Sequence, residues 1–399
     1  MRVVHIITRM IVGGAQENTL FNCLDLIREY GDDVWLVTGP AVGPEGDLLG
    51  RGRAGELPVE VIPSLRRAID PWRDWRARAA IRRAIRRVRP DVVHTHSAKA
   101  GLLGRAVAWS EGVPVVVHTV HGAPFHPYQS AAARRFFIAC ERWAARRCHH
   151  LISVADAMAD RMVEAGVAPR EKFTTIYSGM DVEPFLRADA GREATRQRLG
   201  IAADTVLVGK VARLFHLKGH ADLIEAASEV VRRCPRVEFL LVGDGILREP
   251  LRARIESLGL GHRFHFTGLV PPEEVPAMIG AMDILVHASY REGLARALPQ
   301  ALIAGKPVVS FDVDGAREVV IPGETGFLVA PRDVRGLGEA LVTLATDAEL
   351  RSRQGRAGRS RFTDRFRHQT MTAEIRGLYR RLRAGEAVRL SPRKSTRLR

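Results

Sequence analysis

Residues 283–310, DILVHASYREGLARALPQALIAGKPVVS, predict a strand, a polar loop, a helix and a second strand. The short apolar runs at both ends are typical of buried strands, and between them apolar residues recur near helical spacing. Glu292 falls just after the first strand, where we expect it to begin the helix together with Gly293, and Gln300 falls inside that helix. Because ligands bind beyond the carboxyl ends of parallel strands, this stretch predicts a ligand site.

The same alternation of strand and helix patterns runs along the whole chain of 399 residues, which is too long for one ordinary core. A polar and charged stretch, 184–200, has little apolar periodicity and interrupts this alternation, and there we place the domain junction. The predicted fold is α/β, with two doubly wound Rossmann-like domains facing a central cleft. The expected parts are an N-terminal domain over 1–185, a C-terminal domain over 186–364, a helix over about 365–384 that packs on the first domain, and a basic tail over 385–399.

The composition argues against a secreted or membrane-spanning protein. The four cysteines have no paired CxxC spacing, so neither a disulfide framework nor a zinc motif is indicated. The start of the chain, 1–13, resembles a short signal peptide, but Arg9 interrupts its apolar run and a strand explains it better. Since no apolar run approaches the roughly 20 residues needed to span a bilayer, we expect a cytoplasmic protein. Peripheral attachment to the inner face of the membrane stays open.

The net charge of +16 lies mainly at the C-terminal end, because residues 351–399 carry 16 Lys and Arg against 3 Asp and Glu. Such a segment suits nucleic acid or anionic lipid. No base-reading or stacking motif is present, so we expect no nucleic-acid partner. We expect residues 386–399 to be disordered and to add affinity for an anionic membrane surface.

An arginine-rich helix is predicted over 72–89. Its apolar residues fall on one face and its arginines on the other, as in a helix that covers a sheet and turns a charged face to water. We favour that interpretation. The alternative is that Trp72, Trp75 and the arginines contact an anionic membrane surface.

A glycine pair follows the first predicted strand. The sequence GGA (13–15) precedes a helix that we expect to begin at Glu17. Glycine lets backbone amides approach an anion at a helix N-terminus, but a tight turn explains the pair equally well. The glycines are therefore candidates for ligand contact and not proof of it.

Two neighbouring strands of the first half end in histidines. His94 and His96 end one strand, and His118 and His121 end the next. Because the carboxyl ends of parallel strands converge on the cleft, these side chains are site candidates, and His121 before Gly122 is the stronger one. A zinc site is conceivable, but no third ligand lies at motif spacing.

The second half places charged residues and glycines after its strands. Arg213 and Lys218 follow a strand and could clamp a diphosphate. The turns GDG (243–245) and FTG (266–268) could approach a nucleotide or only join elements. A carboxylate such as Glu292 beside a phosphate site makes sense if it binds sugar hydroxyls or faces positive charge at a reacting carbon.

Taken together, these motifs resemble those of the family-4 retaining glycosyltransferases. The resemblance rests on GGA, the strand-end histidines, Arg213 with Lys218 and EGLARALPQALIAGKPVV, and it extends along nearly the whole chain to about residue 384. It implies a two-Rossmann-domain B-type fold, with the donor in the C-terminal half and the acceptor in the N-terminal half. The part from 283 to 326 carries the most specific match.

The resemblance also implies roles for matching positions. Arg213 and Lys218 bind the donor diphosphate, His121 lines the donor sugar near the reacting carbon, and Glu292 contacts that sugar; these four form the implied catalytic set. The implied donor side comprises Gly14, Arg213, Lys218, Gly243, Gly268, Glu292, Gly293, Leu294 and Gln300, and the implied acceptor side His96 and Gly13.

This sequence departs from the family pattern at Gln300. Glu292 is the first acid of the family's E-x7-E motif, and Gln300 replaces the second, which holds the ribose hydroxyls in the family. An amide still donates and accepts there, but a charge-assisted bond is lost. The run GLAR (293–296) also differs from the smaller residues usual after the first acid.

The implied reaction moves a sugar from a nucleotide-diphosphate sugar to a glycan or lipid-linked acceptor, in the synthesis of an envelope or surface polysaccharide. It retains the configuration at the anomeric carbon without a metal or other cofactor. Asp312-Val313-Asp314 has the spelling of a metal motif but follows a strand and indicates a loop. Closure of the two domains would exclude water from the reaction.

Three other interpretations stay open. A nucleotide-sugar epimerase of similar fold needs carboxylates for proton transfer, and a phosphorylase needs a cofactor lysine; neither pattern is visible. The non-enzymatic alternative is a nucleotide-sugar-binding or nucleic-acid-binding protein with a degenerate site. Gln300 and the basic tail are its best support.

Overall fold

The computed structural model describes residues 1–42, 46–51, 55–126 and 129–386, so the predicted tail lies almost wholly outside the described residues. The chain forms two compact units. It passes from the first unit to the second between Met180 and Asp181 and returns between Phe366 and Arg367. The sequence had placed these two boundaries after residues 185 and 364. Among the described residues, no helix combines the length and apolar character that crossing a membrane requires.

The described part of the first unit holds a parallel sheet of seven strands, covered by helices. Its strands are β1 (Arg2–Ile7), β2 (Asp33–Thr38), β3 (Val59–Val61), β4 (Val92–His96), β5 (Val115–Val120), β6 (His150–Ser153) and β7 (Phe173–Thr175). Its helices include α1 (Gly14–Arg28), α2 (Pro71–Val88), α3 (Ala98–Ser110), α4 (Ala131–Ala145) and α5 (Asp156–Glu164). The strand order is β3-β2-β1-β4-β5-β6-β7. The central strands are buried along almost their whole length, as expected for a parallel sheet covered on both faces.

The second unit repeats this architecture with a parallel sheet of six strands. They are β8 (Val206–Val211), β9 (Val237–Val242), β10 (Phe264–Gly268), β11 (Ile284–His287), β12 (Val308–Phe311) and β13 (Gly326–Val329). The helices are α6 (Glu183–Leu186), α7 (Arg192–Leu199), α8 (His220–Arg233), α9 (Arg248–Ser257), α10 (Val275–Ala281), α11 (Ala297–Ile303), α12 (Val334–Thr346) and α13 (Ala348–Phe362). The strand order is β10-β9-β8-β11-β12-β13. The predicted α/β class with two doubly wound sheets is confirmed.

The last helix, α14 (His368–Arg383), packs on α1 of the first unit. Polar contacts fix its position: the carboxylate of Asp25 accepts a hydrogen bond from Thr372 at 2.8 Å, and Asp32 accepts one from Arg376 at 2.8 Å. Tyr379, fully buried on the same helix, is hydrogen-bonded to His94 of β4 at 2.5 Å. The C-terminal helix is therefore part of the first unit, although the second unit separates them in sequence.

Helix starts and the junction differ from the predictions. α1 begins at Gly14, not at Glu17, and α11 begins at Ala297, so the expectation that Glu292 and Gly293 begin that helix is wrong. The stretch 184–200, where the sequence indicated only the domain junction, contains most of α6 and all of α7.

A partly buried charge cluster explains why α7 forms without an apolar pattern. Arg192 and Arg196 lie one turn apart on this helix, and both pair with the carboxylate of Asp283, at 2.5 and 2.6 Å. The same carboxylate accepts a hydrogen bond from the amide of Leu207 at 2.7 Å. Asp283 thus ties α7 to the start of β8 and to the segment that leads into β11. These contacts are long-range, so the local sequence of α7 does not reveal them.

Candidate active site

The strand order of the second unit places a crevice between β8 and β11. On one side of this pair the sheet continues with β9 and β10, and on the other with β12 and β13. The chain therefore leaves the two central strands in opposite directions, and ligands of open parallel sheets bind at such switch points. The loop after β8 carries Arg213 and Lys218, and the loop after β11 carries Glu292.

Backbone contacts hold these two loops together. The amide of Tyr290 donates a hydrogen bond to the carbonyl oxygen of Leu217 at 2.9 Å. Gly219 has a φ of +63°, and a Cβ atom on it would lie 1.8 Å from the carbonyl oxygen of Ala288. Only glycine fits so close an approach in this backbone conformation. The sequence KG (218–219) therefore positions the lysine beside the second loop.

Lys218 and Glu292 form an ion pair in this crevice. Their side chains are 23% and 21% exposed, so solvent still reaches both. Burial alone would raise the pKa of Glu292, but His287 and Lys218 outweigh that effect and hold the pKa below its ordinary value. The carboxylate is therefore ionised at neutral pH.

The residues after Glu292 form a loop that the Asp314 segment holds in place. The carboxylate of Asp314 accepts a hydrogen bond from the amide of Glu292 at 2.6 Å. The amide of Gly315 donates to the carbonyl oxygen of Gly293 at 3.0 Å. The amides of Gly293 and Leu294 therefore belong to a shaped loop instead of a helix N-terminus, and this corrects the prediction for them.

Gln300 is the fourth residue of α11 and is half-buried. Pro299 precedes it in the first turn of the helix, where its missing N–H leaves no intrahelical bond broken. Gln300 is thus placed on a helix that starts immediately after the Glu292 loop.

The remaining donor residues predicted in the second unit lie at the adjoining strand ends. The amide of Gly243, after β9, donates to the carbonyl oxygen of Gly268, the last residue of β10, at 3.0 Å. Gly243 has a φ of +135°, and a Cβ atom there would lie 2.2 Å from the carbonyl oxygen of Ala212. Arg213 is exposed, with its guanidinium carbon 5.0 Å from the centre of the Phe215 ring. The ends of β8, β9 and β10 are therefore in direct contact.

A buried polar cluster that the sequence did not predict lies beside the ion pair. Lys210 on β8, His220 on α8 and His287 on β11 are 0%, 3% and 3% exposed. The ammonium of Lys210 and both ring nitrogens of each histidine have no hydrogen-bond partner among the described residues. The available signal was a lysine inside the otherwise apolar strand VLVGKV.

Burial determines the charge of this cluster. Together with a smaller effect of Lys218, it lowers the pKa of Lys210 from 10.5 to about 7, against the opposing effects of Glu292 and Asp222. Burial also lowers the pKa of His220 to about 2, and it lowers the pKa of His287 to about 3. Both histidines are neutral at neutral pH, and Lys210 changes charge near it.

The first unit has its own switch point, between β1 and β4. The hydroxyls of Thr8 and Ser97 lie 2.7 Å apart, and the amide of Thr8 donates to the Ser97 hydroxyl at 3.2 Å. These bonds join the loops after the two strands. Gly13 and Gly14 lie at the N-terminus of α1 in the same loop, where the first amides of the helix have no intrahelical acceptor.

Histidines of three segments form a chain on one face of this sheet. Nδ1 of His96 lies 3.2 Å from Nε2 of His121, so these two predicted residues are brought together. Nε2 of His96 lies 3.0 Å from Nδ1 of His5, a residue of the first predicted strand that was not among the site candidates. His5 and His96 are fully buried, and His121 is partly exposed.

The other two predicted histidines have structural contacts. His94 is hydrogen-bonded to the hydroxyl of Tyr379 at 2.5 Å and to that of Thr119 at 2.7 Å. Nδ1 of His118 lies 2.9 Å from the hydroxyl of Thr95. Because neighbouring residues of a strand point to opposite faces, His118 lies on the other side of the sheet from His121.

Two groups have the composition of a metal site. One is a set of buried histidines whose nitrogens lie within 4.8 Å of one another: His5, His94 and His96. Both nitrogens of the latter two histidines are already hydrogen-bonded. In the other group, Asp312 pairs with Arg317 at 2.6 Å, and Asp314 accepts from the amide of Glu292. A metal at either place would have to displace these bonds.

Comparison with solved structures identifies the class. The structure of Anabaena Alr3699/HepE in complex with UDP-glucose superposes with a TM-score of 0.79 at 25% sequence identity, covering 95% of this chain and 99% of that chain. This similarity and the two parallel α/β sheets define the fold as the B type of glycosyltransferases.

Sequence comparison identifies the family. A model described as Glycosyltransferase Family 4 matches residues 12–184, and one described as Glycosyl transferases group 1 matches residues 191–361. The chain belongs to the family-4 glycosyltransferases, as the sequence motifs indicated. The comparisons do not favour the epimerase alternative.

Two curated relatives illustrate the range of the family. The UDP-Gal:alpha-D-GlcNAc-diphosphoundecaprenol alpha-1,3-galactosyltransferase of Escherichia coli is 26% identical over 95% of this chain and 96% of that protein. The 2-deoxystreptamine N-acetyl-D-glucosaminyltransferase of Streptomyces fradiae is 32% identical over 65% of this chain and 64% of that protein. The chain therefore spans just under two thirds of the second relative.

Replacing the buried lysine tests the pKa of Lys210. Because this pKa is lower in the folded state than in the unfolded state, unfolding takes up a proton between about pH 7 and 10.5. The free energy of unfolding of the wild type should therefore rise with pH across this window. Lys210→Met should raise it by about 1–4 kcal/mol at pH 7, and the gain should decline towards pH 10. Urea denaturation at a series of pH values measures both effects.

Arg232→Met is the matched control, since Arg232 is an exposed cation of the same unit. It should change the free energy of unfolding by less than about 0.5 kcal/mol. A Lys210→Met protein that is less stable than the wild type at every pH would show that the ammonium is well solvated or paired.

Proposed function

We propose that this glycosyltransferase moves a sugar from a nucleotide-diphosphate sugar to a glycan or lipid-linked acceptor, with retention at the anomeric carbon and without a metal. The second unit would bind the donor and the first unit the acceptor. The observation that carries the proposal is the Lys218–Glu292 pair at the switch point of the second sheet. It offers a cation for phosphate and a carboxylate for sugar hydroxyls from two loops in contact.

The ion pair suggests how the donor engages the crevice. A diphosphate between Lys218 and Arg213 would compete with the Glu292 carboxylate for the lysine ammonium, because both are anionic. Glu292, no longer shared, would then accept hydrogen bonds from the sugar. As the nucleotide leaves, the same cations would stabilise the charge that develops on its diphosphate.

Other residues of the second unit would complete the donor site. The turn of Gly243 and the adjoining Gly268 let the backbone approach a flat base, since neither carries a side chain. The loop amides of Gly293 and Leu294 would donate to phosphate oxygens. Gln300 would bind ribose hydroxyls through its amide, which both donates and accepts.

The proposal of metal independence rests on charge. Two cationic side chains, Arg213 and Lys218, follow β8 and could neutralise a diphosphate without a metal ion. Both acids of the Asp312-Val313-Asp314 segment already have partners. Asp312 pairs with Arg317, and Asp314 accepts a hydrogen bond from the amide of Glu292. These observations support direct binding of the diphosphate by the protein.

The first unit would contribute to the reaction through its own switch point. His121 would contact the donor sugar near the reacting carbon, and Gly14 would belong to the donor side. Gly13 and His96 would lie on the acceptor side, His96 without touching the acceptor itself because its ring is fully buried. Their position at the strand ends of the sheet supports this assignment.

The names of the relatives suggest a donor and an acceptor class. HepE is described in complex with UDP-glucose, and the Escherichia coli relative is named for a UDP-sugar donor and a diphosphoundecaprenol acceptor. We therefore propose a UDP-sugar as donor and place a polyprenyl-diphosphate-linked glycan first among acceptors. The product would serve envelope or surface polysaccharide synthesis.

An exposed apolar patch supports an acceptor at a membrane surface. We call Ile69, Trp72 and Trp75 the tryptophan patch; they are 68%, 66% and 61% exposed, and the two indole rings stack with centres 5.3 Å apart. Exposed arginines of the same segment flank it: Arg66, Arg67, Arg73 and Arg76. Exposed indoles beside arginines suit the interface of an anionic membrane, which favours the interpretation that the sequence left as the alternative.

The reaction itself is tested by nucleotide release from a panel of sugar nucleotides, with a lipid extract of bacterial membranes as acceptor source. The wild type should turn over at least one UDP-sugar. Glu292→Ala should lower kcat by about a hundredfold or more, because a contact to the reacting sugar is removed. Donor binding without turnover in the wild type would instead favour a nucleotide-sugar-binding protein.

The ribose assignment of Gln300 has its own test. Gln300→Glu restores the second acid of the family motif and should tighten UDP binding by about threefold to tenfold, since a carboxylate accepts ribose hydroxyls more strongly. Isothermal titration with UDP measures the change. Gln197→Glu, the same change of charge on the exposed side of α7, should leave the affinity as it is. Equal or weaker UDP binding by Gln300→Glu would contradict the assignment.

Membrane binding is tested with vesicles of phosphatidylcholine, with and without phosphatidylglycerol. The double variant Trp72→Ala/Trp75→Ala should bind the anionic vesicles about tenfold more weakly, because the buried apolar area of two indoles is lost. Trp109→Ala, at another exposed indole of the same unit, is the control. If the double variant co-sediments with vesicles as the wild type does, the patch is not the binding surface.

A further inference from the structure

The histidine chain of the first unit links the interior of the sheet to a candidate site residue. Register explains its geometry, since His5 pairs with His94 across the sheet and His96 lies two residues further along β4, on the same face. Thr119 pairs with His96, and His121 lies two residues beyond it. The rings pack with centres 5.3 Å apart for the first pair of the chain and 5.4 Å for the second.

Each inner ring of the chain carries a single proton. Burial lowers the pKa of His5 to about 3 and the pKa of His96 well below 6.5, so both are neutral at physiological pH. A neutral imidazole has one N–H donor and one acceptor nitrogen. His96 is hydrogen-bonded at both nitrogens, so it must donate to one neighbour and accept from the other. All donors of the chain therefore point the same way.

Only two directions are possible, and His5 distinguishes them. If the donors point outward, His5 donates through Nδ1, and His96 donates through Nδ1 to Nε2 of His121. If they point inward, His5 accepts at Nδ1 and must carry its own proton on Nε2. That Nε2 is buried and has no hydrogen-bond partner among the described residues.

The inward direction is the more costly one. It buries an N–H group without an acceptor, whereas the outward direction leaves only a lone pair without a donor. Buried N–H groups without a partner are rarer in proteins than under-satisfied acceptors. The buried Nε2 of His5 thus sets the hydrogen-bond direction of the whole chain, including that of the partly exposed His121.

We propose that His96, itself oriented by His5, is a positioning residue that holds His121 with its proton on Nδ1. A neutral His121 is then fixed as a donor through Nδ1, and any group against that nitrogen must accept. This proposal concerns the tautomer of one ring, and its functional meaning rests on the proposed contact between His121 and the donor sugar. A sugar oxygen that accepts from His121 would be preferred over a group that donates.

The test is the nitrogen NMR spectrum of ¹⁵N-histidine-labelled protein above pH 7.5, with His121 assigned from the spectrum of His121→Ala. In the wild type, Nδ1 of His121 should show the shift of a protonated nitrogen and Nε2 that of an unprotonated one. His96→Phe removes the donor to Nε2 and should move the proton of His121 partly or wholly to Nε2. His150→Phe is the control, because His150 is a buried histidine of β6 outside the chain.

A protonated Nε2 on neutral His121 in the wild type overturns the proposal, whatever the enzyme transfers. The second readout is kcat/KM with the nucleotide sugar that turns over. His96→Phe should lower kcat/KM by about threefold to tenfold when it is the only substitution. In a His121→Ala background it should leave kcat/KM unchanged. An equal loss in both backgrounds would show that His96 acts only on stability. The NMR result stands without turnover, so it is separable from failure of the proposed function.

Discussion

The candidate site depends on one constraint, the contact between the loop after β8 and the loop after β11. Gly219 lies so close to the Ala288 carbonyl that no side chain fits, and this contact brings Lys218 to Glu292. A cation and a carboxylate that neutralise each other before a ligand arrives avoid leaving an unpaired charge in a half-buried crevice. An anionic ligand can exchange for one partner and so free the other for hydrogen bonding.

The two units use the same geometry with different chemistry. Each sheet reverses its strand order once, and polar groups lie at each reversal: a charged pair in the second unit and a chain of hydrogen-bonded imidazoles in the first. Each place also has a fully buried polar side chain: Lys210 lies beside the charged pair, and His5 is the inner end of the histidine chain. Burying a polar side chain without a hydrogen-bond partner lowers the stability of the fold. Buried groups with perturbed pKa values beside a cleft therefore indicate functional sites.

The sequence predicted the fold class because strand and helix periodicities are local properties. It also named Lys218 and Glu292, since both follow apolar strands. It could not predict their contact, which joins residues 74 positions apart. It missed the helix that Asp283 stabilises, because the arginines of that helix find their partner in another segment. It overlooked His5 and Lys210 because a polar residue inside a strand reveals its environment only when the neighbouring strands and helices are known.

In the proposed function, donor phosphate competes with Glu292 for Lys218. Isothermal titration of UDP into the wild type, Glu292→Gln and Lys218→Met tests it most directly, because UDP carries the diphosphate without the sugar. Lys218→Met should bind UDP more weakly, by about tenfold or more, and Glu292→Gln should bind it more tightly than the wild type. Weaker UDP binding by Glu292→Gln would contradict the account, since the carboxylate would then assist the diphosphate instead of competing with it.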